Sequence, residues 1–322
     1  MSDEPHSIDG VLVQWGDRLF YPGNRIVKVN PQPRLPATLL RQRAAAIRAR
    51  IEATVVRRAP QVMVKVTGGG RSMKAIAAHF KYISKNGRLE IENERGEKLE
   101  GREALHDLGE EWRFGGTLID DVGFRREAFN IMLSMPRGTD PLTVQRAARE
   151  FAQAEFADHK YVMVLHDHQA NPHVHLSVRA ESRYGKRLNP RKPDLRRWRE
   201  AFAEKLQGWG VDADATRRET RGSRTFVEPL WRIKARGDKR LHAASTQHRT
   251  SPHSSGSRSA AGEAWLKIAD VLGRSGDSAD RDLAAGISKF VGIQGPAPAR
   301  QGERETNRQP APAKGGIDRD VR

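Results

Sequence analysis

The chain of 322 residues contains no cysteine. Disulfide scaffolds, thiol nucleophiles and cysteine-based zinc fingers are thereby excluded, and the redox compartment stays open. Aromatic residues are scarce, at 6%, and hydrophobic residues reach only 37%, so part of the chain is expected to lie outside any packed core. No long apolar run is present. The stretches that come nearest, such as Tyr161 to Leu165, fall far short of a bilayer span, so no membrane insertion is expected. The opening MSDEPHSIDG is acidic and polar with no apolar stretch, which makes the cytoplasm the expected address. Acidic residues are in deficit overall: 57 Lys and Arg face 40 Asp and Glu, a net charge of +17. A soluble chain this basic calls for a polyanionic partner, and nucleic acid is the commonest.

Residues 1–60 read as an N-terminal extension. Its VNPQPRLP segment cannot sustain a helix, and a basic helical stretch follows from about Leu39 to Val56. A compact domain is expected over 61–232. QVMVKVT alternates with period two and predicts a strand; GGGRS is a turn; MKAIAAHFKYISK places Ile76, Phe80 and Ile83 at helical spacing. A hairpin turning near Asn93 to Gly96, a short helix over REALHDLGEEW and a strand over EAFNIMLSMP come next. Asp140 and Pro141 suit the N-cap and first position of a helix. KYVMVLH and HVHLSVRA predict two strands joined by a polar turn, and DLRRWREAFAEKLQGWG an amphipathic helix. Beyond this domain the sequence predicts a disordered linker over 233–260, a small helical element over 261–293 and a disordered tail over 294–322. The helical element carries Trp265, Ile268, Val271 and Leu272 on one face. It is too short to hold a core without a docking surface.

The chemistry concentrates in Val164-Leu-His-Asp-His-Gln-Ala-Asn-Pro-His-Val-His-Leu176. His173 and His175 stand at i and i+2 on a predicted strand, so they leave the same face. His166 ends the preceding strand, and a hairpin would bring it across from that pair. Three imidazoles on two rigid strands make a metal site with positions left open for substrate. Asp167 is a candidate to orient an imidazole. A histidine-triad hydrolase would need a further histidine where Ser177 stands, and a carbonic-anhydrase-like site would leave the basic charge unexplained.

Tyr82 lies on the helix after the Gly-rich turn, among His79, Lys81 and Lys85. Taken alone it reads as an aromatic filling the helix–sheet interface. Taken with the histidines and the charge it reads as a nucleophile for phosphorus, because positive charge nearby favours a phenolate. His79, three residues earlier, shares nearly the same helix face and is a candidate proton acceptor or phosphate contact. Arg71 in the turn, and Ser134 and Arg137 in SMPRGT, are candidates to grip the backbone of single-stranded DNA.

The series GGGRS…HFKYISKNG, LSMPRGTDP and VLHDHQANPHVHLSV, over about residues 61–225, resembles the HUH-type relaxases, or mobilization nucleases, of conjugative plasmid and T-DNA transfer. The resemblance implies an α+β fold, a mainly antiparallel sheet with packed helices, ferredoxin-like in style and with the histidine hairpin central. It implies a metal-dependent transesterification in which Tyr82 attacks one phosphodiester of single-stranded DNA at an origin of transfer and retains the 5′ phosphate. His166, His173 and His175 would hold Mg²⁺ or Mn²⁺. The Asp common two residues after the first histidine of the turn is replaced here by His168, which is an alternative to His166 as first ligand. Implied partners are an accessory DNA-binding protein and a coupling protein or type IV secretion machinery. A non-catalytic basic DNA-binding accessory protein is the alternative from another class. A rolling-circle replication initiator or transposase would share the chemistry, but the chain has no Gly-x-x-x-x-Gly-Lys-Ser/Thr loop.

Overall fold

A computed structural model describes residues 7–21, 36–221 and 252–293, the last without the side chains of 252–258. Its strands are β1 (Met63–Gly68), β2 (Ile91–Asn93), β3 (Lys98–Leu99), β4 (Ala128–Ser134), β5 (His159–His166) and β6 (His173–Ser182). They form one antiparallel sheet in the order β1-β4-β6-β5-β2-β3. The hairpin of β5 and β6 is central, as the resemblance implies.

Alternation along the strands gives the sheet two apolar faces, and each is covered. Helices α5 (Pro141–Glu155) and α6 (Lys192–Gly208) cover one: Phe151, Ala148, Trp198 and Phe202 meet Ile131, Leu133, Met163, Val174 and Leu176. Helices α3 (Met73–Ile83) and α4 (Gly101–Phe114) cover part of the other, where Ile76, Phe80, Leu108 and Trp112 meet Val162 and Val164. Helices on both faces depart from the ferredoxin-like style, which carries them on one. The reason is sequential: α3 and α4 enter between β1 and β4 with their own apolar stripe and need a second face to bury it. Helix starts follow the sequence signals. Asp140 accepts from Thr143 N at 2.8 Å ahead of Pro141, and Ser72 accepts from Ala75 N at 3.3 Å ahead of Met73.

A second core is wholly helical. It joins α1 (Ile8–Phe20) and α2 (Ala37–Ile51, continued by a π-helical turn to Val56) to α7 (Pro252–Gly273) and α8 (Ser278–Ile293). Trp265 is buried there, edge-on to Phe20 at 5.8 Å and to Phe290 at 5.5 Å, and its indole N–H donates to Thr220 O at 2.8 Å. Arg48 of α2 ties the group together, pairing with Asp9 at 2.8 Å and with Asp280 at 2.7 Å. The docking surface that the C-terminal helices need is thus the N-terminal extension. Helix α7 starts at Pro252, so residues 252–260 are helical rather than linker; proline suits a first helical turn. The expectations for 233–251 and for the tail over 294–322 lie outside the described residues. No described helix is long and apolar enough to cross a membrane.

Candidate active site

Period-two alternation decides which side chains meet. On β5, Tyr161, Met163 and Leu165 face α5 and α6, which leaves Val162, Val164 and His166 on the α3 side. On β6, Val174, Leu176 and Val178 take the α5–α6 side, which turns His173, His175 and Ser177 towards α3. The hairpin register sets His166 opposite His173 and Val164 opposite His175. Ring centroids lie 4.6 Å apart for His166 and His175 and 5.0 Å apart for the other two pairs. One ring nitrogen from each of the three lies within 4.8 Å of the others.

Hydrogen bonds select which nitrogen is offered, since a carbonyl only accepts. His166 donates from Nε2 to Ile83 O at 2.7 Å, leaving the lone pair on Nδ1, which is buried and has no partner. His173 is fixed the other way, donating from Nδ1 to Asn171 O at 2.9 Å and freeing Nε2. Burial pushes the pKa of both below the ordinary histidine range. His175 is pushed down to about 3, by burial first and then by the neighbouring imidazoles. All three are therefore neutral near pH 7, the form that binds metal. Three neutral imidazoles, two of them oriented by carbonyls and one of those two, His166, with its free Nδ1 buried and unpartnered, fit a divalent cation. His168 stands outside this set, exposed, with its ring 5.1 Å from that of His166.

Helix α3 buries Met73, Ile76, Phe80 and Ile83. Tyr82 falls on the opposite side and is 70% exposed, so it does not fill the helix–sheet interface. Its ring lies 6.5 Å from that of His175 and 6.2 Å from that of His79. His79 in turn lies 6.4 Å from His175. The His79 imidazole is half-buried, its pKa is pushed down to about 4 by burial, and its Nε2 has no partner. A solvent-facing phenol thus stands at the lip of a three-histidine cluster.

A family model described as "Relaxase: MobA/VirD2-like, nuclease domain" matches residues 82–211, a span that opens on Tyr82 and contains all three clustered histidines. The chain carries a MobA/VirD2-like relaxase nuclease domain. It is similar to the T-DNA border endonuclease VirD2 of Agrobacterium fabrum, 25% identical over 183 residues, which is 50% of this chain and 41% of that protein. The VirD2 of Rhizobium rhizogenes is 24% identical over 191 residues, 53% of this chain and 43% of the relative. The match thus spans about two-fifths of the length of these curated relatives.

Around the cluster, the relaxase domain places the remaining candidates unevenly. Lys81 and Lys85 flank Tyr82 and are exposed, Arg137 is exposed beyond β4, and Arg71 is exposed at the opposite end of α3. Ser134 is buried. Its hydroxyl reaches Pro172 O at 3.3 Å and Met135 O at 3.4 Å, so it steadies the turn before His173 and is not presented to DNA. Asp167 is exposed, and among the described residues no hydrogen bond joins it to an imidazole. The orienting groups are instead the carbonyls of Ile83 and Asn171, which the sequence conceals because every residue has one. The same face continues past the histidines through Ser177, which donates to Asn130 Oδ1 at 3.2 Å, to Arg179, whose guanidinium is held by the carbonyls of Trp112 and Thr117.

Proposed function

We propose that the protein is a relaxase that nicks single-stranded DNA at an origin of transfer and remains joined to the 5′ phosphate through Tyr82. The observation that carries this reading is the exposed Tyr82 ring within 6.5 Å of the His175 ring. In the step, the Tyr82 Oη–P bond forms as the P–O3′ bond breaks. The electron pair leaves on O3′, which takes a proton to become a free hydroxyl, and the phenolic proton passes to solvent. His79, neutral and with an unpartnered Nε2, accepts a hydrogen bond from the phenol and fixes its direction. Its lowered basicity makes it an orienting group rather than a store for the proton.

His166 Nδ1, His173 Nε2 and one nitrogen of His175 would hold Mg²⁺ or Mn²⁺. When bound, such a cation supplies Lewis-acid polarisation of a non-bridging phosphate oxygen. Lys81, Lys85 and Arg137 hold the backbone on either side of the reacting phosphate, which makes binding strongly salt-dependent. Because the bond returns when the 3′-OH attacks the phosphotyrosine, the same site rejoins the strand after transfer. Only an unpaired segment reaches the pocket, so an accessory DNA-binding protein or supercoiling opens the duplex first. The helices α7 and α8 offer the outer surface on which a coupling protein or type IV secretion machinery would take hold.

The test is incubation of the purified protein with Mn²⁺ and a supercoiled plasmid carrying the DNA that flanks its gene. Conversion to open circle, blocked by Tyr82→Phe, is the expected result. Retained DNA binding with no nick in any metal would leave a non-catalytic accessory protein as the reading.

A further inference from the structure

The loop between α4 and β4 presents apolar side chains to solvent to an unusual degree. Phe124 is 93% exposed, Val122 79% and Leu118 52%. An exposed aromatic on a mobile loop would mean little, but this loop is stitched down at both ends. Met73 N donates to Asp120 O at 2.9 Å, and Glu127 N and Ala128 N donate to Gly70 O at 2.8 and 3.1 Å. Gly123 lies so close to the Gly-rich turn that a Cβ there would sit 2.2 Å from Arg71 O. The backbone on either side of Phe124 is therefore fixed against the turn that carries Arg71, and the ring is held out in water by a rigid mount.

Cations are in excess around it: of the loop's acids, Asp121 is paired with Arg113 at 3.0 Å and Glu127 with Arg125 at 2.7 Å, which leaves Asp120. Arg71, Lys74 and Arg126 are exposed, and among the described residues none of them has an ion-pair partner. Between this corner and the histidines runs the part of the sheet that α3 and α4 leave open. There β1 and β4 present Met63, Lys65, Thr67, Asn130 and Met132, all exposed or half-buried. Ala128, bonded to Gly70, begins β4; Ser134, paired with His173, ends it. At the rise of a strand these two ends are about 20 Å apart. An exposed strip of sheet with Lys65 along it thus links the histidine cluster to a basic corner topped by an exposed ring.

We infer that Phe124 is a stacking platform for a nucleobase of single-stranded DNA, several nucleotides from the phosphate that Tyr82 attacks. Arg71, Lys74 and Arg126 hold the backbone beside it. The inference rests on the single-stranded-DNA reading of the site. A base has a π-face whatever its identity, so one ring serves any sequence, and a platform fixed beforehand loses little freedom on binding. Its part in the reaction is positional: a strand pinned at Phe124 and at the histidines is held at two points, and the reacting phosphate between them is set in register. The competing occupant, an apolar protein partner, would have to cover the same corner while leaving three cations without carboxylates.

The experiment compares binding of a fluorescein-labelled dT12 oligonucleotide to the full chain and to Phe124→Ala, Phe124→Trp and Arg71→Ala, across a salt series. Phe124→Ala is expected to weaken binding about 5- to 10-fold with the salt slope unchanged, since stacking releases no counterions. Phe124→Trp should restore it. Arg71→Ala should flatten the slope by about 0.7, the value for one lost contact to a single strand. At 93% exposure the ring supports no core, and unchanged thermal melting verifies that. Full affinity in Phe124→Ala while the wild type binds dT12 would overturn this inference alone and turn the loop over to a protein partner. No binding of dT12 by the wild type would instead remove the single-stranded-DNA reading beneath it.

Discussion

The imidazole of His166 donates from Nε2 to the carbonyl oxygen of Ile83, 2.7 Å away, and Ile83 is the residue that follows Tyr82. One bond therefore does two things: it turns the His166 lone pair inward at Nδ1, and it fastens the end of the helix that carries the phenol. The histidine cluster and the phenol are set relative to each other by this contact between β5 and α3, while the phenol itself remains exposed.

On the proposed reading the first ligand is His166, whose ring nitrogen belongs to the three-histidine cluster. His166→Ala should abolish binding of Mn²⁺ measured by calorimetry, whereas His168→Ala, which removes an exposed ring outside the nitrogen cluster, should leave the affinity within about twofold. Equal loss in both variants would put His168 among the ligands.

The acid sensitivity of the metal-free domain follows from burial. His79 has a folded pKa of about 4 and His175 of about 3, against an ordinary value near 6.5 in the unfolded chain. Between these limits the unfolded chain binds more protons, so stability is fully present above about 6.5 and declines as the pH falls through about 4 to about 3. Urea unfolding at a series of pH values should show that decline, and His79→Phe should make it shallower. For the same reason His175 should bring no proton for a metal to displace between pH 7.5 and 6, and an NMR titration of its ring with a midpoint in that range would mean that the ring is solvated.

Trp265 tests how the two ends of the chain depend on each other. Trp265→Ala removes a buried indole packed on Phe20 and Phe290 and should cost about 3–5 kcal/mol in the helical core. Deletion from residue 235 onward should uncover Leu12, Phe20 and Ile47 and produce binding of a hydrophobic dye. Because the sheet has its own core, metal binding at the histidines should survive both changes. A truncation as stable as the full chain would show that α1 and α2 repack by themselves.

Ser134→Ala should lower stability by about 0.5–1.5 kcal/mol through the lost bonds to Pro172 O and Met135 O. Its affinity for single-stranded DNA should match the wild type, in contrast to Arg137→Ala. Weaker DNA binding without loss of stability would return the hydroxyl to the DNA.

Much of this arrangement is legible in the sequence because it depends on period and spacing. His173 and His175, two apart on a strand, share a face in any register, and an Asn-Pro turn from His166 leaves few ways to pair other than the observed one. The apolar spacing of Ile76, Phe80 and Ile83 on α3 is legible in the same way, although Tyr82 taken alone reads as filling the helix–sheet interface that the structure shows it leaves for solvent. What stays hidden is carried by backbone atoms or by distant chain. The carbonyls that orient His166 and His173 leave no mark in the sequence, so Asp167, the nearest acidic side chain, draws the role by proximity. Ser134 sits beside Arg137 in one motif, yet the first ends β4 and is buried while the second lies in the turn beyond the strand and is exposed. The helical core joins residues separated by more than two hundred positions, such as Arg48 and Asp280, and composition alone presents its halves as an extension and an island.

The central claim is that Tyr82 forms the covalent bond to DNA, and its most direct test is the adduct itself. An oligonucleotide spanning the mapped nick, labelled on the 3′-side fragment, is incubated with the protein and Mn²⁺, denatured and digested, and the labelled peptide is sequenced by mass spectrometry. The account predicts a nucleotide on Tyr82, a free 3′-OH on the other fragment, and no adduct from a folded, DNA-binding Tyr82→Phe. A nucleotide on Tyr184, exposed in the turn after β6, or full activity in Tyr82→Phe, would contradict it.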